Sequence, residues 1–97
     1  MDYIYMIETK SFFKDAQGID YQVADLGTLP MPYKNFKKAV MAMQRMRNRY
    51  INLFGETIVK DYTAEDITEA NLYDRFETLH PTTGTRTIVS LYKTYFF

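Results

Sequence analysis

Residues 34–54, KNFKKAVMAMQRMRNRYINLF, form the longest stretch with a helical period, and they limit what the rest of the chain can be. At about 100° per residue, Phe36, Ala39, Val40, Met43, Met46, Tyr50, Ile51, Leu53 and Phe54 share one broad sector. Lys34, Lys37, Lys38, Arg45, Asn48, Arg49 and Asn52 lie opposite. The spacing predicts one long helix with an oily face and a wet face. Asn35 suits the N-cap, with Pro32 just outside as an alternative first-turn residue, and Gly55 stands where a left-handed residue ends a helix. A lone helix of this length is marginal in water, so its oily sector has to be roofed by other parts of the chain.

Two residues break the pattern. Arg47 projects into the oily sector beside Phe36 and Val40. The simpler reading is a packed stem whose guanidinium reaches water or a strand carboxylate such as Glu77; the sharper one is an anion site beneath a sheet. Met41 is the reverse, an apolar side chain on the wet face.

The remaining segments supply a sheet. Residues 3–13 alternate, with Tyr3, Tyr5, Ile7 and Thr9 on one face and Ile4, Met6, Glu8 and Lys10 on the other. The two apolar positions that open the second face predict a strand start buried on both sides. Turn chemistry over residues 14–18 leads into a second strand at 19–25, completing a hairpin. Residues 26–33 contain Pro30 and Pro32, which lack backbone donors, so they read as the connection to the helix, with Leu29 and Met31 over its end. Residues 56–62 predict a third strand. Thr63 followed by Asp66 resembles a capping box and predicts a short helical turn over residues 64–70, with an irregular loop as the alternative. Residues 72–79 and 86–97 form the clearest hairpin, around a turn containing Pro81 and Gly84. The last strand is apolar on both faces, which places it centrally in a sheet or under a partner. The fold expected is therefore α+β: a single domain over residues 1–97, with a mainly antiparallel sheet of about five strands in the order ββαβββ and one long central helix laid across one face.

Composition narrows the chemistry. Cysteine is absent and His80 is the only histidine, which rules out disulfides, thiol catalysis and a histidine or thiolate zinc site. His80 precedes Pro81 in a turn, with no orienting carboxylate suggested by the sequence. No glycine-rich phosphate loop occurs. Glu65, Asp66 and Glu69 lack the ligand alternation and central glycine of a calcium loop and read as a solvated helix start. The expectation is a protein that is not an enzyme and needs no cofactor or metal. The opening MDYIYMIE has no basic region followed by a long apolar run, and no segment is long and apolar enough to span a bilayer, so a cytoplasmic location without membrane contact is expected.

The charge pattern carries the positive signal. Formal net charge is +0, but residues 26–55 hold six basic and no acidic residues, while residues 56–77 hold seven acidic and two basic. Lys34, Lys37, Lys38, Arg45 and Arg49 share the wet helix face without an acid to neutralise them, so they repel one another unless something anionic lies against them. The sequence thus points to a small accessory or inhibitory module that binds a protein partner, and a second reading has the same stripe binding nucleic acid. Within the first reading the acidic segment 61–77 would serve as a phosphate mimic that blocks a nucleic-acid-binding groove, and a third reading, ranked last, is a small hydrolase or ligand-binding enzyme. A further candidate interface, formed by Tyr92, Tyr95, Phe96 and Phe97, would complete a sheet edge or patch with a target or with a second copy as a homo-oligomer.

Overall fold

The computed structural model describes residues 2–14, 17–23 and 31–96. Its elements are β1 (Asp2–Lys14), β2 (Asp20–Val23), β3 (Met31–Tyr33), α1 (Phe36–Asn52), β4 (Thr57–Asp61), β5 (Leu72–Leu79) and β6 (Arg86–Phe96). The strands form one antiparallel sheet in the order β2-β1-β6-β5-β4, and β3 pairs with β1 beside that path. The α+β class, the antiparallel sheet and the helix placed between strands match the sequence expectation. The expectations for residues 15, 16 and 24–30, including Leu29, and for Phe97 lie outside the described residues.

The last strand is central, as its two apolar faces require: β6 is paired with β1 on one side and β5 on the other. Pairing with β1 runs from Asp2 opposite Phe96 to Phe12 opposite Arg86, so the two ends of the chain meet in the middle of the sheet. The proline-bearing connection supplies one extra strand. Met31–Tyr33 lies against β1 with Pro32 opposite Met6, a position beside the main strand path that tolerates a residue without a donor.

α1 crosses one face. Asn35 caps it as expected, its Oδ1 accepting from the backbone N–H of Lys38 at 3.3 Å. Gly55 follows with φ +66°, and the Glu56 N–H donates to the Tyr50 carbonyl at 2.9 Å across it. Ala39, Ala42 and Met43 pack on Ile7, Phe76, Val89 and Leu91, with Tyr5, Tyr33, Met46 and Tyr50 around them.

That contact is narrower than the oily sector. Phe36, Val40, Ile51, Leu53 and Phe54, expected to be buried, are exposed, Leu53 to 70%. Contact is made through two alanines and Met43, so the flank turned toward β4 and β5 lies beyond the packed strip. Two other expectations are corrected. The start of β1 is not buried on both sides: Tyr3 is exposed, and Ile4, Tyr5 and Met6 are half-buried. Residues 64–70 form no helix but the irregular alternative, with one turn closed from Asp66 N–H to the Thr63 carbonyl and another from Leu72 N–H to the Glu69 carbonyl. The Asp66 carboxylate accepts from both the N–H and the Oγ of Thr63, which closes the turn on itself.

Candidate functional site

The wet face of α1 carries the predicted cations. Lys34, Lys37, Lys38, Arg45 and Arg49 are all exposed, and none makes an ion pair among the described residues. The helix is unbroken from Phe36 to Asn52, so Lys37 and Arg49 are about 18 Å apart along its axis. Gln44, Asn48 and Asn52 are exposed beside them. The face ends in a cleft of about 190 Å³ where the helix meets β3, lined by Tyr33, Ala42, Arg45, Met46 and Arg49. Two guanidinium groups thus flank an apolar floor, an arrangement that suits a carboxylate carried next to an apolar group.

Arg47 does not belong to this face. Its guanidinium grips Asp74 with both nitrogens, Nη1 to Oδ2 at 3.0 Å and Nη2 to Oδ1 at 2.7 Å, and Nη2 also reaches Asp61 at 2.8 Å. It lies over the Phe76 ring, 4.8 Å from the centroid. Burial lowers the affinity of Arg47 for its proton, but the bonds to Asp74 and Asp61 outweigh it and the pKa is raised. The strand carboxylate that pairs with Arg47 is therefore Asp74, joined by Asp61, and not Glu77, which holds Arg86 at 3.0 Å on the other face of the sheet. With two acids already on this arginine, an anion site there has nothing left to attract an anion.

The C-terminal candidate residues divide between faces. Tyr95 is exposed on the helix side and Tyr92 lies on the opposite face, donating to Glu8 Oε2 at 3.0 Å; burial and that carboxylate raise the Tyr92 pKa. Phe96 is described only in its backbone. Tyr95 belongs to a group the sequence reading did not assemble: Tyr3, Tyr5, Phe36 and Tyr73 join it through ring contacts of 5.1–6.2 Å. Lys93 Nζ stands 4.5 Å from the Tyr3 centroid and 5.4 Å from that of Tyr95. Desolvation works against the Lys93 charge, but hydrogen bonding to Tyr95 and the neighbouring tyrosines prevail and raise its pKa. Alternation in β1 and β6 carried part of this signal, since Tyr3, Tyr5, Lys93 and Tyr95 fall on one face once those strands pair. Tyr73 joins through a register shift between Leu72 and Asp74 that turns both Tyr73 and Asp74 toward the helix.

The remaining candidates have local roles. His80 Nδ1 accepts from the backbone N–H groups of Thr82 and Thr83, both at 3.2 Å, which fixes the β5–β6 turn. Thr63 holds the Asp66 carboxyl below its ordinary range through a backbone and then a side-chain hydrogen bond. Among the described residues no group of three or more histidines and carboxylates could hold a metal ion, and no helix is long and apolar enough to cross a membrane. No family model matches the chain, and no curated protein or solved structure shows significant similarity to it.

Proposed function

We propose that the protein is a non-catalytic binding module, of an accessory or inhibitory kind, whose outward face on α1 engages an acidic surface of a partner protein. The observation that carries this reading is the row of Lys34, Lys37, Lys38, Arg45 and Arg49, unpaired among the described residues, which runs into the cleft floored by Tyr33, Ala42 and Met46. Cations that pair with no acid among the described residues keep their hydrogen-bonding capacity for another molecule. A protein suits the cleft better than a polyphosphate does, because protein surfaces place a carboxylate next to an apolar side chain and a phosphate backbone does not. Zero net charge also gives no general attraction to polyanions.

Nucleic-acid binding is the second reading. It is favoured by the exposed rings of Tyr3, Phe36, Tyr73 and Tyr95 around Lys93 at the start of the same helix, where bases could stack.

One set of variants separates the two. Lys38→Glu/Arg45→Glu/Arg49→Glu removes three cations without touching the buried strip. Under the protein reading, a partner captured from the native cell by the wild type is lost with this variant, and retention on heparin or on a single-stranded oligonucleotide is weak for both. Under the nucleic-acid reading, the wild type binds the oligonucleotide with a steep loss of affinity as salt rises, and the variant does not. A captured partner that binds the triple variant as well as the wild type removes the helix face from both readings.

A further inference from the structure

Among the described residues no helix covers the face of the sheet away from α1. The strand registers set its side chains in three rows across β1, β6 and β5: Met6, Tyr92 and Leu72; Glu8, Ser90 and Arg75; Lys10, Ile88 and Glu77. Of these Lys10 is exposed, Leu72 and Ser90 are buried and the others are half-buried. Alternation puts them opposite the core residues Ile7, Phe76, Val89 and Leu91. In the second row the acid stands on β1 and the base on β5; in the third the base stands on β1 and the acid on β5. The column between them, on β6, is uncharged: Tyr92, Ser90 and Ile88. The charges are therefore antisymmetric about β6 in both rows.

We propose that the protein forms a two-fold dimer through this helix-free face, with the axis running along β6. A rotation about that axis sets Glu8 against the partner's Arg75 and Lys10 against the partner's Glu77, each pair occurring twice, while Ile88 and Tyr92 meet their own copies on the axis. This is the self-complementary pattern a two-fold interface requires. Arg86, the next β6 residue on this face, is drawn off the axis by Glu77. The charged groups retain capacity for the partner. Glu8 accepts from Tyr92 and lies 3.1 Å from Lys10, leaving lone pairs unused, and Arg75 has donors beyond those turned to Ser90 at 2.9 Å and Glu69 at 3.4 Å. Aligned sheet packing needs only the roughly 30° offset that sheet twist supplies.

Shape selects this axis over one crossing the strands, about which the charges are also complementary. Segment 62–71 stands along the β5 flank, where the Tyr62 ring and Glu69 reach Arg75, and Glu69 and Arg75 bound a hollow of about 340 Å³ with Glu8, Lys10, Leu72, Ser90 and Tyr92. Rotation about β6 sets the raised flank of each copy against the β1 side of the other; rotation about a crossing axis sets both raised flanks on one side and wedges the sheets apart. Because α1 lies on the other face, the dimer presents both cationic helices outward. Its test is thus separate from that of the proposed function.

The experiment is charge reversal read by sedimentation equilibrium. The wild-type mass rises with concentration from 11.5 kDa toward twice that value. Glu8→Arg alone and Arg75→Glu alone, each setting like charges against each other twice, stay monomeric over the same range, and an equimolar mixture of the two recovers the wild-type association. Far-UV circular dichroism checks that each variant is folded. If either is not, Lys10→Glu and Glu77→Lys make the same pairwise test in the third row. A wild type that remains at the monomer mass into the millimolar range overturns the proposal and leaves the hollow to a small charged ligand. Single reversals that dimerise like the wild type, or a mixture that stays monomeric, overturn it as well.

Discussion

Arg47 holds Asp74 with both terminal nitrogens and reaches Asp61 with one of them. The helical period placed this arginine in the oily sector and demanded a carboxylate, but the carboxylate depends on which face of β5 turns inward. In LYDRFETL, Leu72 and Phe76 fall on one parity and Tyr73 and Leu79 on the other, so alternation alone does not choose. Phe76 turned inward brings Asp74 under the helix and sends Glu77 out. The consequence is a graded set of costs. Arg47→Met leaves the Asp74 carboxylate, whose side chain is 22% exposed, without its cation, and should cost about 2–3 kcal/mol, below the range for fully buried pairs. Asp61→Ala, at a side chain 51% exposed, should cost less than about 1 kcal/mol. Arg47→Met/Asp74→Leu should recover most of the larger loss, because no charge is left stranded. Urea unfolding checks the series, and equal costs for Asp61→Ala and Arg47→Met would contradict the bidentate pair as the main contact. Asp66 gives a pH signature with a definite sign. Its folded pKa lies below the ordinary value of 3.8, so the stability it adds is present above that value and is lost as pH falls through the folded pKa. Asp66→Asn should be the less stable protein at neutral pH, and the gap should close as acid is added, which the urea midpoints at the two ends of the range would show.

At the scale of elements, the sequence was most informative where a boundary depends on one backbone requirement. Asn35 and Gly55 marked the limits of α1 because a capping oxygen and a positive φ are chemical needs that few residues meet. Asn35→Ala should cost about 1 kcal/mol, a fall in melting temperature of about 4–8 °C for a domain of this size. Gly55→Ala should cost about 1–2 kcal/mol, although a Cβ there meets nothing within 4 Å, because the loss lies in the backbone and not in a clash. Scanning calorimetry tests both, and a neutral Gly55→Ala would mean that the chain relaxes out of the left-handed conformation. What the sequence could not give was the width of the helix contact. Periodicity marks which residues are oily, but burial also depends on how far the sheet extends beneath them. Val40, Ile51 and Phe36 therefore read as core and stand exposed on a flank. The register shift in β5 that gathers Tyr73 with Tyr5 and Phe36 leaves no local mark either, since it arises from how two strands are paired.

For the whole molecule, the decisive fact is that β1 and β6, the first and last strands, pair along almost their full length at the centre of the sheet. The central strands can close only by joining the two ends of the chain, at the full loop-closure cost of such a pairing, so folding should be slow for a domain this small. The same arrangement distributes stability unevenly. β6 bonds to a neighbour on both sides and carries Val89 and Leu91 in the core, whereas β4, paired only with β5 among the described residues, is mostly exposed. Native-state hydrogen exchange should therefore find the slowest amides in β6 and in the stretch of β1 around Ile7, and opening of the lowest free energy in β4. The cationic face of α1 belongs with the protected part, because Ala39, Ala42 and Met43 tie the helix to β1 and β6. A row of cations used for binding must keep its spacing, and a helix anchored to the last strands to open does so. If amides at the centre of α1 exchanged as fast as those of β4, the helix would not be a rigid platform, and the face proposed for binding would have no fixed geometry to offer a partner.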